Sequence, residues 1–332
     1  MGTASVRLSP SATMSAVLHK HINREVWRYR LLIALCVLIA GVGALIGWQM
    51  VEARSPAAAD LRGFGVGLNY RPESQQQLAE LGISWYLDWT FSDPDVPGYR
   101  RLYVVRPWAD RALLASVAVT RRGVWWSIGN EPNDKNQDNQ TPAQYALFFH
   151  DAVQIIRQAD PSARILSAGI ADADWQWAEQ FRQEYRKLTG DFPFLDGWNI
   201  HNYILGDGQD QYDVGEFKRR ITAFRNWMSQ IGDGGKPLIL SEFGVLYGAG
   251  CCQHPPESPE RGVAYMVETV TWLARADLVQ AWAWFMVNSG EQHFNGDLFD
   301  AGGHLTAFGQ AYRRLVAWRS VGASKNLLES LP

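Results

Sequence analysis

Cysteine is nearly absent from this chain. Its 332 residues hold three: Cys36, Cys251 and Cys252. Cys36 falls inside an uncharged apolar run, and the other two are neighbours in a Gly/Pro-rich stretch, so no disulfide framework holds the body together. The adjacent pair leaves two states open, a strained vicinal disulfide or two free thiols. Neither sign of charge is in surplus: 31 Lys and Arg stand against 34 Asp and Glu, a net charge of -3. That balance excludes the basic footprint of a nucleic-acid binder. A Gly-x-Gly-x-x-Gly fingerprint is missing too, because Gly63-Phe64-Gly65-Val66-Gly67 lacks the helix start that a dinucleotide site requires. Histidines are scattered, and the one close pair, His19 and His21, precedes the apolar run. Neither a metal nor a cofactor is expected.

What the chain does have is a run without charge from residue 31 to residue 51. At about 1.5 Å per residue it spans roughly 30 Å, the thickness of a bilayer's hydrocarbon core. Lys20, Arg24, Arg28 and Arg30 precede it, whereas Glu52, Arg54, Asp60 and Arg62 follow it. The positive excess on the N-terminal side predicts a cytoplasmic N-terminus and a body outside. A cleaved signal peptide, processed near Ala57-Ala58-Ala59, is the rival reading, and the length of the run favours the anchor. The expected organisation is a cytoplasmic tail (1–30), a transmembrane anchor (31–51), a linker (52–61), a catalytic body (62–320) and a C-terminal tail (321–332).

The body alternates short apolar runs with segments of helical periodicity. Strands are expected at Phe64–Asn69, Ser84–Trp89, Leu102–Arg106, Val124–Asn130, Arg164–Ala168, Gly197–His201, Pro237–Glu242 and Val279–Phe285. Thr141-Pro142 reads as a helix cap followed by proline in the first turn, with Tyr145, Phe148, Phe149, Ala152, Val153 and Ile156 on one face. A second helix carries Phe217, Ile221, Phe224, Trp227 and Met228; a third runs from about Pro259 through Val263, Met266, Val270 and Leu273. Helical patterning is weakest around Pro94 to Tyr99. This alternation in about 260 residues fits one α/β (β/α)8 TIM barrel.

Two of the strands end on glutamate: Trp126-Ser127-Ile128-Gly129-Asn130-Glu131-Pro132 and Leu238-Ile239-Leu240-Ser241-Glu242-Phe243-Gly244. The C-terminal tip of a barrel strand is where catalytic groups sit. Two carboxylates on different strands are the equipment of glycoside hydrolysis, one to protonate the leaving oxygen and one to attack or activate water. The 15 tryptophans supply flat faces on which sugar rings stack, as well as core mass.

With Asn-Glu-Pro after strand four and a glutamate ending strand seven, the body resembles the clan A glycoside hydrolases, which are retaining enzymes on a (β/α)8 barrel. Within the clan it is similar to the fungal-type endo-β-1,3-glucanases. That likeness rests on Ser84-Trp85-Tyr86-Leu87-Asp88-Trp89, Trp198-Asn199-Ile200-His201-Asn202-Tyr203 and Ala281-Trp282-Ala283-Trp284-Phe285, and on the closing Asp297-Leu298-Phe299-Asp300 and Leu305-Thr306-Ala307-Phe308-Gly309. The resemblance implies that Glu131 is the acid/base, Glu242 the nucleophile, and Asn130 a ligand of the sugar 2-hydroxyl. His201 and Tyr203 would orient the nucleophile or line the cleft. Trp284 would form the floor under the reacting sugar, with Trp282 the alternative, and Trp89 is a candidate platform. Arg106 is a candidate cation for Glu242. The implied carboxylate spacing is about 5–5.5 Å, against roughly 6.5–9.5 Å for inversion. The expected protein is thus a membrane-anchored, monomeric hydrolase of extracellular or cell-wall polysaccharide, a β-glucan first, with no nucleic-acid partner. Its alternatives are an inactive sugar-binding barrel and a clan A enzyme of another or exo specificity. The loops at Asp134–Asn139, Leu205–Asp213 and Tyr247–Ser258 would set that choice.

Overall fold

A computed structural model describes residues 61–205, 209–246, 258–290 and 294–320. The strands β1 (Gly63–Gly67), β2 (Trp85–Leu87), β3 (Arg100–Val105), β4 (Trp125–Ile128), β5 (Arg164–Ile170), β6 (Gly197–His201), β7 (Leu238–Gly244) and β8 (Ala281–Phe285) lie side by side in chain order and close into a parallel barrel. Each expected strand is present at its expected place. The helices are α1 (Ser74–Leu81), α2 (Arg111–Thr120), α3 (Pro142–Ala159), α4 (Trp175–Thr189), α5 (Val214–Gln230), α6 (Pro259–Ala276) and α7 (Ala307–Ser320).

Among the described residues there are seven α-helices rather than eight. Asp88–Tyr99 joins β2 to β3 without one, because Pro94 and Pro97 deny backbone donors to a helix. A buried arginine organises this loop instead. Arg101 donates from Nε and Nη2 to Asp88 Oδ1 (3.0 and 2.7 Å), and from Nη1 and Nη2 to the carbonyls of Asp93 and Thr90.

Elsewhere local signals and packing agree. Thr141 accepts from Gln144 N while the Gln144 side chain accepts from Thr141 N, a capping box worth about 1 kcal/mol, with Pro142 in the first turn. The predicted apolar faces of α3, α5 and α6 are buried against the barrel, Val153 being half-buried at the margin.

Inside the barrel the side chains stack in layers. Leu61, Trp85, Leu102, Trp125, Leu166 and Ala281 belong to the interior cluster, with Leu87, Val104, Ile239 and Ala283. Small residues make room for the large rings: a Cβ on Gly65 would fall 2.2 Å from the Trp85 ring. A buried polar set also crosses the interior, in which Asn199 Nδ2 donates to Ser127 Oγ and Ser127 Oγ donates to the Ser167 carbonyl.

Among the described residues no helix is long and apolar enough to cross a membrane. The run at 31–51, both predicted tails, all three cysteines and most of the Tyr247–Ser258 loop lie outside the described residues.

Candidate active site

Glu131, His201 and Glu242 meet at the C-terminal end of the barrel. β4 delivers Glu131 just beyond its last residue, β6 ends on His201, and Glu242 lies in β7 directly across the ladder from His201. Strict alternation would have aimed Glu242 away. Ile239 faces the barrel interior, so Ser241 would face it and Glu242 the helices. However, the register of β7 against β8 shifts between Leu240 and Phe243. This irregularity turns both Ser241 and Glu242 toward His201, and Phe243 rejoins the outer core.

His201 bridges the two carboxylates. Its Nδ1 is 2.7 Å from Glu131 Oε1; its Nε2 is 3.0 Å from Ser241 Oγ and 3.4 Å from Glu242 Oε1. Room for the imidazole comes from Gly169 in β5, where a Cβ would fall 2.0 Å from Nε2. One ligand-type atom from each of the three side chains lies within 4.8 Å of the others. Among the described residues this is the one group of metal-ligating type, but its atoms are already engaged with one another and with Ser241, Trp89 and Tyr203.

The two glutamates have opposed surroundings. Burial, reinforced by the negative charges of Asp134, Asp172 and Asp138, pushes the Glu131 carboxyl from its ordinary 4.5 up to about 8, with Arg106 opposing. Burial pushes the Glu242 carboxyl up as well, but three neighbours favour its charge. They are His201, the Trp89 Nε1–H on Oε1 (2.5 Å) and the Tyr203 hydroxyl on Oε2 (3.1 Å). The remaining force on Glu242 is repulsion from Glu131, which vanishes while Glu131 holds its proton. Burial depresses His201 below its ordinary 6.5, with Glu242 opposing and the charge of Arg106 adding to the depression. The arrangement therefore provides a protonated acid beside a second carboxyl held in place by hydrogen-bond donors. Trp89 and Glu131 both hold left-handed backbone, with φ of 57° and 46°, a strain that clusters at functional sites.

The other sequence-predicted residues divide. Trp89 and Tyr203 sit on Glu242, and Asn130 lies beside Glu131, its Nδ2 donating to Gln137 Oε1 and its backbone N–H to Asp138 Oδ2. Trp284 is not in the cleft. It is fully buried between barrel and helices against Phe243, Phe308 and Tyr312, and Trp282 packs on the same outer side against Phe64. The strand-eight aromatic at the site is Phe285, half-exposed, edge-on to Trp89 (5.4 Å) and Tyr203 (6.2 Å). Its signal was parity, since Ala281 and Ala283 share its side of the strand. Arg106 also serves a different partner: it is paired with Asp138 at 2.6 Å, and its charge bears on Glu131 and His201 rather than on Glu242. Gly169 and Ser241 were missed altogether.

A family model described as the glycosyl hydrolase catalytic core matches residues 65–312. A comparison with curated proteins gives no match. Among solved structures, an endo-β-1,3-glucanase of GH128 subgroup II from Pseudomonas viridiflava is 23% identical with a TM-score of 0.59, covering 76% of this chain and 96% of its own. A subgroup I endo-β-1,3-glucanase from Amycolatopsis mediterranei, in complex with laminaritriose, is 16% identical (TM-score 0.58; 76% and 99%). A subgroup III curdlan-specific exo-β-1,3-glucanase from Blastomyces gilchristii, in complex with glucose, is 20% identical (TM-score 0.56; 76% and 97%).

Proposed function

The chain belongs to the glycosyl hydrolase catalytic core family, and from that premise we propose that it is a retaining glycoside hydrolase of β-1,3-linked glucan, held at a membrane by its 31–51 run. The observation that carries the mechanism is the approach of a Glu131 oxygen and a Glu242 oxygen to within 4.8 Å. That supports the short spacing of a nucleophile and an acid/base, since inversion needs room for a water between the two carboxyls.

Glu131 begins protonated and donates to the glycosidic oxygen as Glu242 attacks the anomeric carbon, giving a covalent glycosyl-enzyme. Trp89 and Tyr203 hold Glu242 in line, and their hydrogen bonds weaken as its charge passes into the new C–O bond of the ester. Glu131, now ionised in its buried site, takes a proton from water, which displaces Glu242 with a second inversion. The hydrogen bond between Glu131 and His201 fixes the carboxyl that performs both transfers. The β-1,3-glucan substrate is supported by what the similar barrels are described as cleaving. The anchor is supported by the uncharged run and the basic residues before it.

The test is a panel of laminarin, mixed-linkage glucan, cellulose, xylan, mannan and galactan, with Glu242→Ala as control and the product anomer read by NMR. Glutamate-dependent release of β-anomeric oligosaccharides from laminarin is the expected result. Release of the α-anomer would overturn retention, and release from another polymer only would replace the substrate.

A further inference from the structure

Among the described residues three Trp or Phe side chains stand exposed: Trp108, Phe192 and Phe194. Phe192 and Phe194 lie between α4 and β6, at the N-terminal end of the barrel. Trp108 follows β3, on the end that carries both glutamates, and is 69% exposed. Leaving that much indole in water forfeits a large hydrophobic gain. The ring is nevertheless held in place, because the Arg106 guanidinium lies over it, 4.6 Å from the ring centroid. Arg106 is fixed in turn by Asp138, whose side chain is wholly buried and whose other oxygen accepts from Asn130 N, one residue before Glu131. The indole is therefore coupled through two side chains to the backbone that carries the acid. One of its faces is covered by a cation and the other is open.

The remaining aromatics of the site gather on the other carboxylate. Trp89, Tyr203 and Phe285 contact Glu242 or one another, on the side of the carboxyl assigned to attack the anomeric carbon. Glu131 gives its proton to the departing oxygen, so the departing sugar extends away from that group, toward β3 and β4. We propose that Trp108 is the stacking platform for the sugar ring on the departing side of the scissile bond. The inference rests on the retaining-glucanase reading above. The C–H-rich face of a β-linked glucose lies on the open face of the indole, and this favours bonds with chain on both sides over terminal ones.

The test compares two substrates on the full chain. Laminarihexaose places sugars on the departing side, whereas β-laminaribiosyl fluoride releases only fluoride and places none there. Trp108→Ala is expected to lower kcat/KM on the hexaose about tenfold, chiefly through KM, a factor of about 1.4 kcal/mol. Trp108→Phe should keep most of the wild-type value, and fluoride release should change by less than about twofold. An unchanged hexaose rate in Trp108→Ala overturns the platform. So does an equal loss on both substrates, which would make Trp108 a structural residue. A wild-type chain that releases fluoride but leaves the hexaose uncut would overturn it too. If the wild type turns over neither substrate, the hydrolase reading fails and the platform with it.

Discussion

Glu131 shows how environment decides the role of a residue. Both glutamates are buried, yet only Glu131 is ringed by further acids, while Glu242 receives two hydrogen bonds that reward its charge. The consequence is a pH dependence whose sign can be worked out. Glu131 in the folded chain binds its proton more tightly than the ordinary 4.5, up to about 8. Its contribution to stability is whole below about pH 4.5 and is lost as pH rises through about 8. Activity should fall over the same alkaline range as the acid loses its proton. We therefore expect an alkaline limb near pH 8 in kcat/KM on oligosaccharides, absent with a substrate whose leaving group needs no protonation. Glu131→Gln should melt above wild type at pH 9 by more than it does at pH 5, roughly 2–4 °C for each kcal/mol recovered. A limb unchanged by the leaving group would assign the titration to another residue.

At the scale of elements, the site depends on irregularities in three strands. β5 shifts register between Leu166 and Gly169, β6 between Ile200 and His201 against β7, and β7 between Leu240 and Phe243 against β8. Bulges at a barrel rim re-aim side chains, and here they bring His201, Ser241 and Glu242 onto one another. Gly169 is the tightest point, because any side chain there enters the space of the His201 ring. Gly169→Ala is expected to fold, since the surrounding barrel is intact, but to lose about a hundredfold in kcat with a smaller change in KM. Circular dichroism and thermal melting would establish the fold, and initial rates the loss. Wild-type kcat in that variant would show that the imidazole position is not needed. The β2–β3 connection makes a related point: a buried guanidinium and its five hydrogen bonds to four oxygens of the loop replace a barrel helix.

For the whole molecule, the barrel puts all eight strand tips at one end, so chemistry and substrate recognition share that face. The uncharged run and its basic flank carry the proposed attachment. Full-length chain expressed in cells should stay with the membrane fraction through an alkaline carbonate wash, and replacing three central leucine or isoleucine residues of the run with lysine should release it. Charged residues at the centre of a spanning helix cost about 2.5–3.5 kcal/mol each, enough to abolish insertion. Wild-type chain recovered in the carbonate supernatant would overturn the anchor.

The sequence by itself determined the eight strands, three of the helices with the Thr141 cap, and the two glutamate-ended motifs. Short apolar runs, a Thr-Pro start and a carboxylate after a buried strand each leave a local signal. The inward face of each strand was not legible, for a physical reason. Strands of a closed parallel barrel are buried on both sides, so hydrophobicity does not distinguish interior from exterior. On β8 the large tryptophans went outward into the roomy layer beneath the helices, while two alanines fitted the narrow interior beside Trp85 and Trp125. That choice moved the cleft aromatic from Trp284 to Phe285. The same closure, with its shifted registers, brought Glu242 within reach of His201 and His201 within reach of Glu131, pairs 41 and 70 positions apart that share no local pattern. Only tertiary packing decided those contacts, because they depend on how side chains of unequal size fill one enclosed barrel.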